Sequence, residues 1–261
     1  MRRSLRIVLP LTALMGLSLP ACAADEGADR APAAEALANT APPPAPPVTE
    51  PPVASPPASV RPDPVPSTTV PPAYSATVSP IDDAVRARMP HAWRPGCPVP
   101  LEELRLLTLT HWDLDGQART GELVVHESVA DDLVMVFGSL WDAGFPITRM
   151  ELVDVFEGDD DRSMAADNTS AFNCREIAGR PGVWSNHAYG RAVDINPLRN
   201  PWVRGDRVDP PGGAAFLDRT ADVPGLIREG DVVVAAFASV GWSWGGHWST
   251  PDYQHFEHAV D

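Results

Sequence analysis

Half of the proline in this chain is crowded into one stretch. Fifteen of the 30 Pro fall between residues 41 and 80, whereas all eight Trp lie between Trp93 and Trp248 and the first aromatic residue is Tyr74. Proline fixes φ and removes a backbone donor, so a run this dense supports neither a helix nor a strand ladder. A core needs aromatic and branched apolar side chains to offset the entropy of ordering the chain. The 261 residues therefore divide into a disordered Pro-rich linker and one globular domain of roughly 180 residues, an ordinary domain size. The boundaries read as 1–21, 22–80 and 81–261.

The first segment has the form of an export signal. Arg2, Arg3 and Arg6 precede an apolar run, residues 7–19, that is too short to span a bilayer comfortably. It ends in Leu19-Pro20-Ala21-Cys22, which resembles a bacterial lipobox. The resemblance implies cleavage before Cys22, a lipid on its thiol, and an extracytoplasmic lipoprotein held at the cell membrane. An ordinary secretory signal cleaved near Ala21 or Ala24 is the other reading, with export but no anchor. Residues 22–80 then form an Ala/Pro-rich stalk. In polyproline II, at about 3.1 Å per residue, it would carry the domain on the order of 100 Å from the membrane. A Pro-rich docking ligand is the alternative.

Charge and cysteine usage narrow the classes further. A net charge of −15 argues against a nucleic-acid binder, which needs a basic surface. The chain has no Lys, so the Ser-x-x-Lys of a serine acyl-enzyme is absent. In an exported protein Cys97 and Cys174 form either one disulfide or two buried thiols. A monomer is expected.

Within the domain, periodicity predicts mixed elements. Residues 81–89 read as a short helix; 104–109 and 121–126 read as strands joined by the turn Asp113-Leu114-Asp115-Gly116. Ser128 with Asp131 gives an N-cap pattern, and Val129, Leu133, Val136, Phe137, Leu140 and Trp141 follow at helical spacing until Gly144. Residues 147–156 read as a strand, 157–162 as an acidic surface loop and 191–196 as a strand. Residues 231–240 read as a buried helix stopped by Gly241, and 241–258 as a Trp- and His-rich stretch ending in a strand. Without regular βαβ alternation the class is α+β: a small antiparallel sheet with flanking helices.

Three segments concentrate reactive side chains: the polar run at 168–175, Ser185-Asn186-His187-Ala188-Tyr189-Gly190-Arg191-Ala192-Val193-Asp194, and Asp252-Tyr253-Gln254-His255-Phe256-Glu257-His258. Alone, a His and an Asp seven positions apart carry little weight. Catalytic zinc changes this, because it takes three N or O ligands and leaves a position for water. A further carboxylate is needed to move the proton. His187, Asp194, His255 and Asp252 supply all four, and two His with one Asp around an open position favour Zn2+.

Ser-x-His-x-x-Gly-x-Ala-x-Asp, followed by Asp-x-x-His-Phe-Glu, resembles the zinc D-alanyl-D-alanine carboxypeptidase family, which includes the L-alanyl-D-glutamate endopeptidases. The resemblance covers the domain from about residue 101. It implies that His187, Asp194 and His255 are zinc ligands and that Asp252 is the general base and then acid. It also implies an Arg upstream of the first ligand for the oxyanion, with Arg175 preferred and Arg162 as runner-up. The substrates it implies are peptidoglycan stem peptides, cut either at the terminal D-Ala or at L-Ala–D-Glu. Asp at position 252, where the carboxypeptidases usually carry Glu, leans toward the endopeptidases. His247 departs from the pattern, since an acidic residue often stands there. Ser185 is expected to support the site by bonding the backbone or Asp194. Gly190 is expected to permit a turn or close packing, and Glu257 either orients a ligand imidazole or faces solvent. Trp242, Trp244 and Trp248 either wall the cleft or fill the core. A second class is an inactive wall-peptide binding module that keeps the fold and the metal.

Overall fold

The computed structural model describes residues 72–260; the expected export signal, Cys22 and the expected stalk up to residue 71 lie outside the described residues. In chain order the elements are β1 (Ala76–Pro80), α1 (Asp83–Ala87), β2 (Leu104–Trp112), β3 (Ala118–His126), α2 (Ala130–Asp142), β4 (Arg149–Met150), α3 (Asp160–Ala165), β5 (Asn168–Thr169), β6 (Ala192–Asp194), β7 (Trp202–Arg204), β8 (Arg207–Asp209), α4 (Val232–Ser239), β9 (Ser243–Trp244) and β10 (His255–Glu257). The class is α+β, as the mixed periodicity predicts. Two antiparallel three-stranded sheets, β1-β2-β3 and β6-β10-β9, dominate it, and no helix among the described residues is long and apolar enough to cross a membrane.

β2 and β3 pair in register from Leu104↔His126 to Trp112↔Ala118, and each face of the pair contributes buried residues. Leu107, Leu109, Leu123 and Val125 face the main core with α2 and α4, while Leu104, Leu106 and Val124 pack into a second cluster with Val85, Met89 and Val99. The predicted α2 stripe holds: Leu133, Val136, Phe137, Leu140 and Trp141 are all buried. Its start differs. Ser128 sits in a preceding 3-10 turn and donates its N–H to the His126 ring, and the cap position is Val129, without a side-chain bond.

Three expectations fail for physical reasons. Residues 147–156 are not one strand: only Arg149–Met150 pairs, in parallel with β5, and Val153–Phe156 turns into a 3-10 helix. The buried residues Ile147, Met150, Leu152, Val153 and Phe156 do not alternate, so no single face of a strand could bury them. Residues 157–162 are not simply a surface loop, because Asp159 caps α3 by accepting from the Arg162 N–H. Residues 76–80 were read as stalk but form β1, and Tyr74 just before it donates its hydroxyl hydrogen to the Val134 carbonyl at 2.8 Å. The folded part therefore begins before residue 81.

Candidate metal centre

β6 and β10 set the site by register. His255 lies directly opposite Asp194, Phe256 opposite Val193 and Glu257 opposite Ala192. Side chains alternate along a strand, so His255 and Glu257 share one face while Phe256 points to the other. Phe256 is fully buried and stacks on Phe237 of α4, with ring centroids 4.1 Å apart. A fixed Phe256 fixes the face on which His255 lies. On its other edge β6 is held by Ser170, whose N–H and carbonyl exchange bonds with Asp194.

His187 reaches the same point from a 3-10 turn, Asn186–Tyr189. Ser185 caps that turn by accepting the His187 N–H, so the hydroxyl takes the backbone role of the two considered for it. Gly190 closes the turn at φ +65, and a Cβ there would lie 2.5 Å from the backbone N of His126. Both demands select glycine.

His187, Asp194 and His255 are all buried, and their ligand atoms lie within 4.8 Å of one another. His187 Nε2 stands 3.2 Å from Asp194 Oδ2 and 3.3 Å from His255 Nδ1, which is 2.9 Å from Asp194 Oδ1. The far nitrogens are also engaged. His187 Nδ1 donates to the Ala171 carbonyl at 2.6 Å, and His255 Nε2 donates to Glu257 Oε2 at 3.2 Å. An imidazole whose proton is held on one nitrogen presents a lone pair on the other. With both imidazoles neutral, two such lone pairs and a carboxylate converge, and the set fits a divalent cation.

The electrostatics of the protein alone show how strongly the cluster calls for positive charge. Burial opposes ionisation of Asp194, yet His187 and His255 outweigh it and hold the carboxyl well below its usual range. Burial likewise opposes charge on His255, but Asp194 and Glu257 raise the imidazole to about 10. Glu257 is held below its ordinary value, mainly by the hydrogen bond from His255. It also accepts from Asn186 Nδ2 at 2.6 Å, so of its two readings the ring-orienting one matches the geometry.

Asp252 is buried beside this cluster, and its Oδ1 has no hydrogen-bond partner. Burial pushes its carboxyl up to about 7. Gly245 lets the chain pass: a Cβ there would lie 2.8 Å from the Asp252 carbonyl oxygen and 3.1 Å from its Cβ.

These groups line a cavity of about 340 Å³. Arg175 lines it too, with Nη2 2.8 Å from Asp160 Oδ2 and Nε unpartnered. Burial raises the Asp160 carboxyl, and Arg175 partly offsets that. Arg162 instead pairs with Glu157 on the surface at 2.9 Å and is not part of the wall. Cys97 and Cys174 are disulfide-bonded, tying the residue before Arg175 to a segment 77 positions upstream. Trp248 lines the cavity with its ring 5.3 Å from His255, whereas Trp242 and Trp244 are core residues. His247 pairs with Glu229 at 2.5 Å, exposed and outside the cavity wall.

Two parts of the wall went unread in the sequence. Asp160 was hidden in the acidic run 157–162. The β7–β8 hairpin contributes Trp202, Arg204, Arg207 and Asp209; Gly205-Asp206 between Val203 and Val208 was the turn signal that could have revealed it.

The fold and site define a buried His-Asp-His cluster with an adjacent carboxylate in a cleft, the constellation of a metallohydrolase. Residues 178–258 match the family model described as D-alanyl-D-alanine carboxypeptidase, which supports the resemblance carried by the two motifs. No curated protein and no solved structure matches the chain.

Proposed function

We propose that the chain is a zinc-dependent peptidase of peptidoglycan stem peptides, exported and held at the membrane by a lipid on Cys22. The observation that carries this reading is the convergence of His187 Nε2, His255 Nδ1 and Asp194 beside the unpartnered Oδ1 of the buried Asp252. His187, Asp194 and His255 would hold the ion. When bound, zinc supplies Lewis acidity, which makes water nucleophilic near neutral pH and polarises the amide carbonyl.

The rest of the chemistry belongs to the chain. Asp252 takes the proton of the attacking water and returns it to the leaving amine. Arg175, oriented by Asp160, faces the charge that develops on the carbonyl oxygen, a contribution typically worth about 3 kcal/mol per donor. Ala171 and Glu257 hold the two imidazoles in the required tautomers.

Digestion of purified muropeptides by the zinc-loaded protein, read by mass spectrometry, tests the reading and names the bond. Loss of one terminal Ala identifies a carboxypeptidase, and a new amino terminus at D-Glu identifies an endopeptidase. Intact muropeptides in the presence of bound zinc would sink the proposal and leave a binding module.

A further inference from the structure

The proposed chemistry uses the cavity floor but not its β7–β8 side. We propose that this hairpin recognises a free carboxylate on the substrate peptide, with Arg204 as the anion donor. The inference rests on the peptidase reading and adds to it what the site selects.

Charge is the first ground. The cavity lining holds more carboxylates than guanidiniums, yet its β7–β8 side carries Arg204 and Arg207. Asp209 is shared between the two guanidiniums, and this trio keeps a net positive charge. Arg175, by contrast, has Asp160 as its own partner. Guanidinium groups bind carboxylates through paired, charge-assisted hydrogen bonds.

Orientation is the second. The Arg204 guanidinium carbon lies 3.9 Å from the centroid of the Trp202 ring, and Asp209 holds the Nη2 edge, so the group is stacked and half-buried rather than free in solvent. Arg204 Nε and Trp202 Nε1 are nevertheless buried without a hydrogen-bond partner. Buried donors are almost always satisfied in a folded protein, so two unpartnered donors side by side in a cavity wall call for an explanation, and a bound anion supplies one.

Attachment is the third. The Val203 N–H donates to the Pro251 carbonyl at 2.9 Å, and Trp202 bridges to Asp252 in antiparallel fashion. The hairpin is thus bolted to the residue that would move the proton. A carboxylate seated on Arg204 would fix where the scissile amide lies against Asp252. The cavity volume sits at the lower end for small-ligand sites, so a short peptide end or branch fills it.

The carboxylate could be the peptide terminus or the free carboxylate of the D-Glu residue. Synthetic stem peptides with neither, one or the other amidated distinguish the two. With zinc-loaded full-length protein, one amidation is expected to raise KM on the order of tenfold or more, and the other to leave it nearly unchanged. Arg204→Met should collapse that preference with zinc content intact. Trp202→Phe keeps the ring, loses the N–H and should reduce the preference; it serves if Arg204→Met does not fold. The proposal is overturned if wild type treats all three peptides alike, or if the preference survives in both variants. Should no peptide be cleaved, calorimetric binding of the same peptides decides: discrimination keeps the carboxylate site while the peptidase reading falls, and equal binding ends both.

Discussion

Replacing Glu257 with Ala is expected to weaken zinc binding by about tenfold to a hundredfold, the usual cost of losing a group that orients a metal-bound imidazole. At about 1.4 kcal/mol per factor of ten, that is roughly 1.4–2.8 kcal/mol. Two hydrogen bonds are removed, one from His255 Nε2 at 3.2 Å and one from Asn186 Nδ2 at 2.6 Å. The first keeps the His255 proton on Nε2, so that Nδ1 presents a lone pair toward His187 and Asp194. Without it the ring can hold its proton on either nitrogen and is less basic. Glu257→Gln retains an oxygen acceptor but not the charge, and should fall between wild type and Glu257→Ala. Competition against a chromophoric chelator near neutral pH measures the affinities, with melting of the metal-free proteins as a folding control. Wild-type affinity in a folded Glu257→Ala protein would refute the assignment of Nδ1 as the ligand atom of His255.

Asp252→Asn should retain zinc and lose roughly 10²–10⁴-fold in turnover, the usual share of a positioned acid–base group; unchanged kcat on muropeptides would remove Asp252 from the mechanism. Gly245→Ala should destabilise the fold by about 1–3 kcal/mol through overpacking against Asp252, and a chemical melt indistinguishable from wild type would contradict the close approach. Burial pushes the Tyr74 phenol up to about 12, from about 10 in an unfolded chain. The unfolded chain thus deprotonates first, and the stabilisation is complete below pH about 10 and lost as pH rises through about 12. An absorbance titration of wild type minus Tyr74→Phe should show that late phenol. A phenol titrating near 10 would detach residue 74 from the domain.

How much was legible follows from length and period. β2, β3 and α2 run nine, nine and 13 residues, long enough for alternation or a helical stripe to emerge, and α4 was visible as an apolar run ending at Gly241. β4 and β5 have two residues each, and β7 and β8 three, too few for any period. The four candidate residues could be picked out because two short motifs carry them, one in a turn plus β6 and the other at β10. What the motifs could not convey is contact across sequence distance. The Ala171 carbonyl under His187 is a backbone atom with no residue signature. Asp160 beside Arg175 looked like one more solvated acid among neighbours in an acidic run. Ser185 and Glu257 each had two sequence readings: Ser185 bonds the backbone, accepting the His187 N–H, and Glu257 bonds the His255 ring. Of Arg175 and Arg162, only Arg175 lines the cavity, a placement that sequence order does not convey.

The measurement that bears most directly on the central claim is the zinc content of the purified chain, by elemental analysis after zinc loading and exhaustive dialysis, beside a folded His187→Ala variant. The account predicts about one zinc per wild-type chain and a large loss in the variant. A wild-type protein that retains no stoichiometric metal, or a variant that holds it equally well, would contradict the assignment of His187, Asp194 and His255 as a metal site.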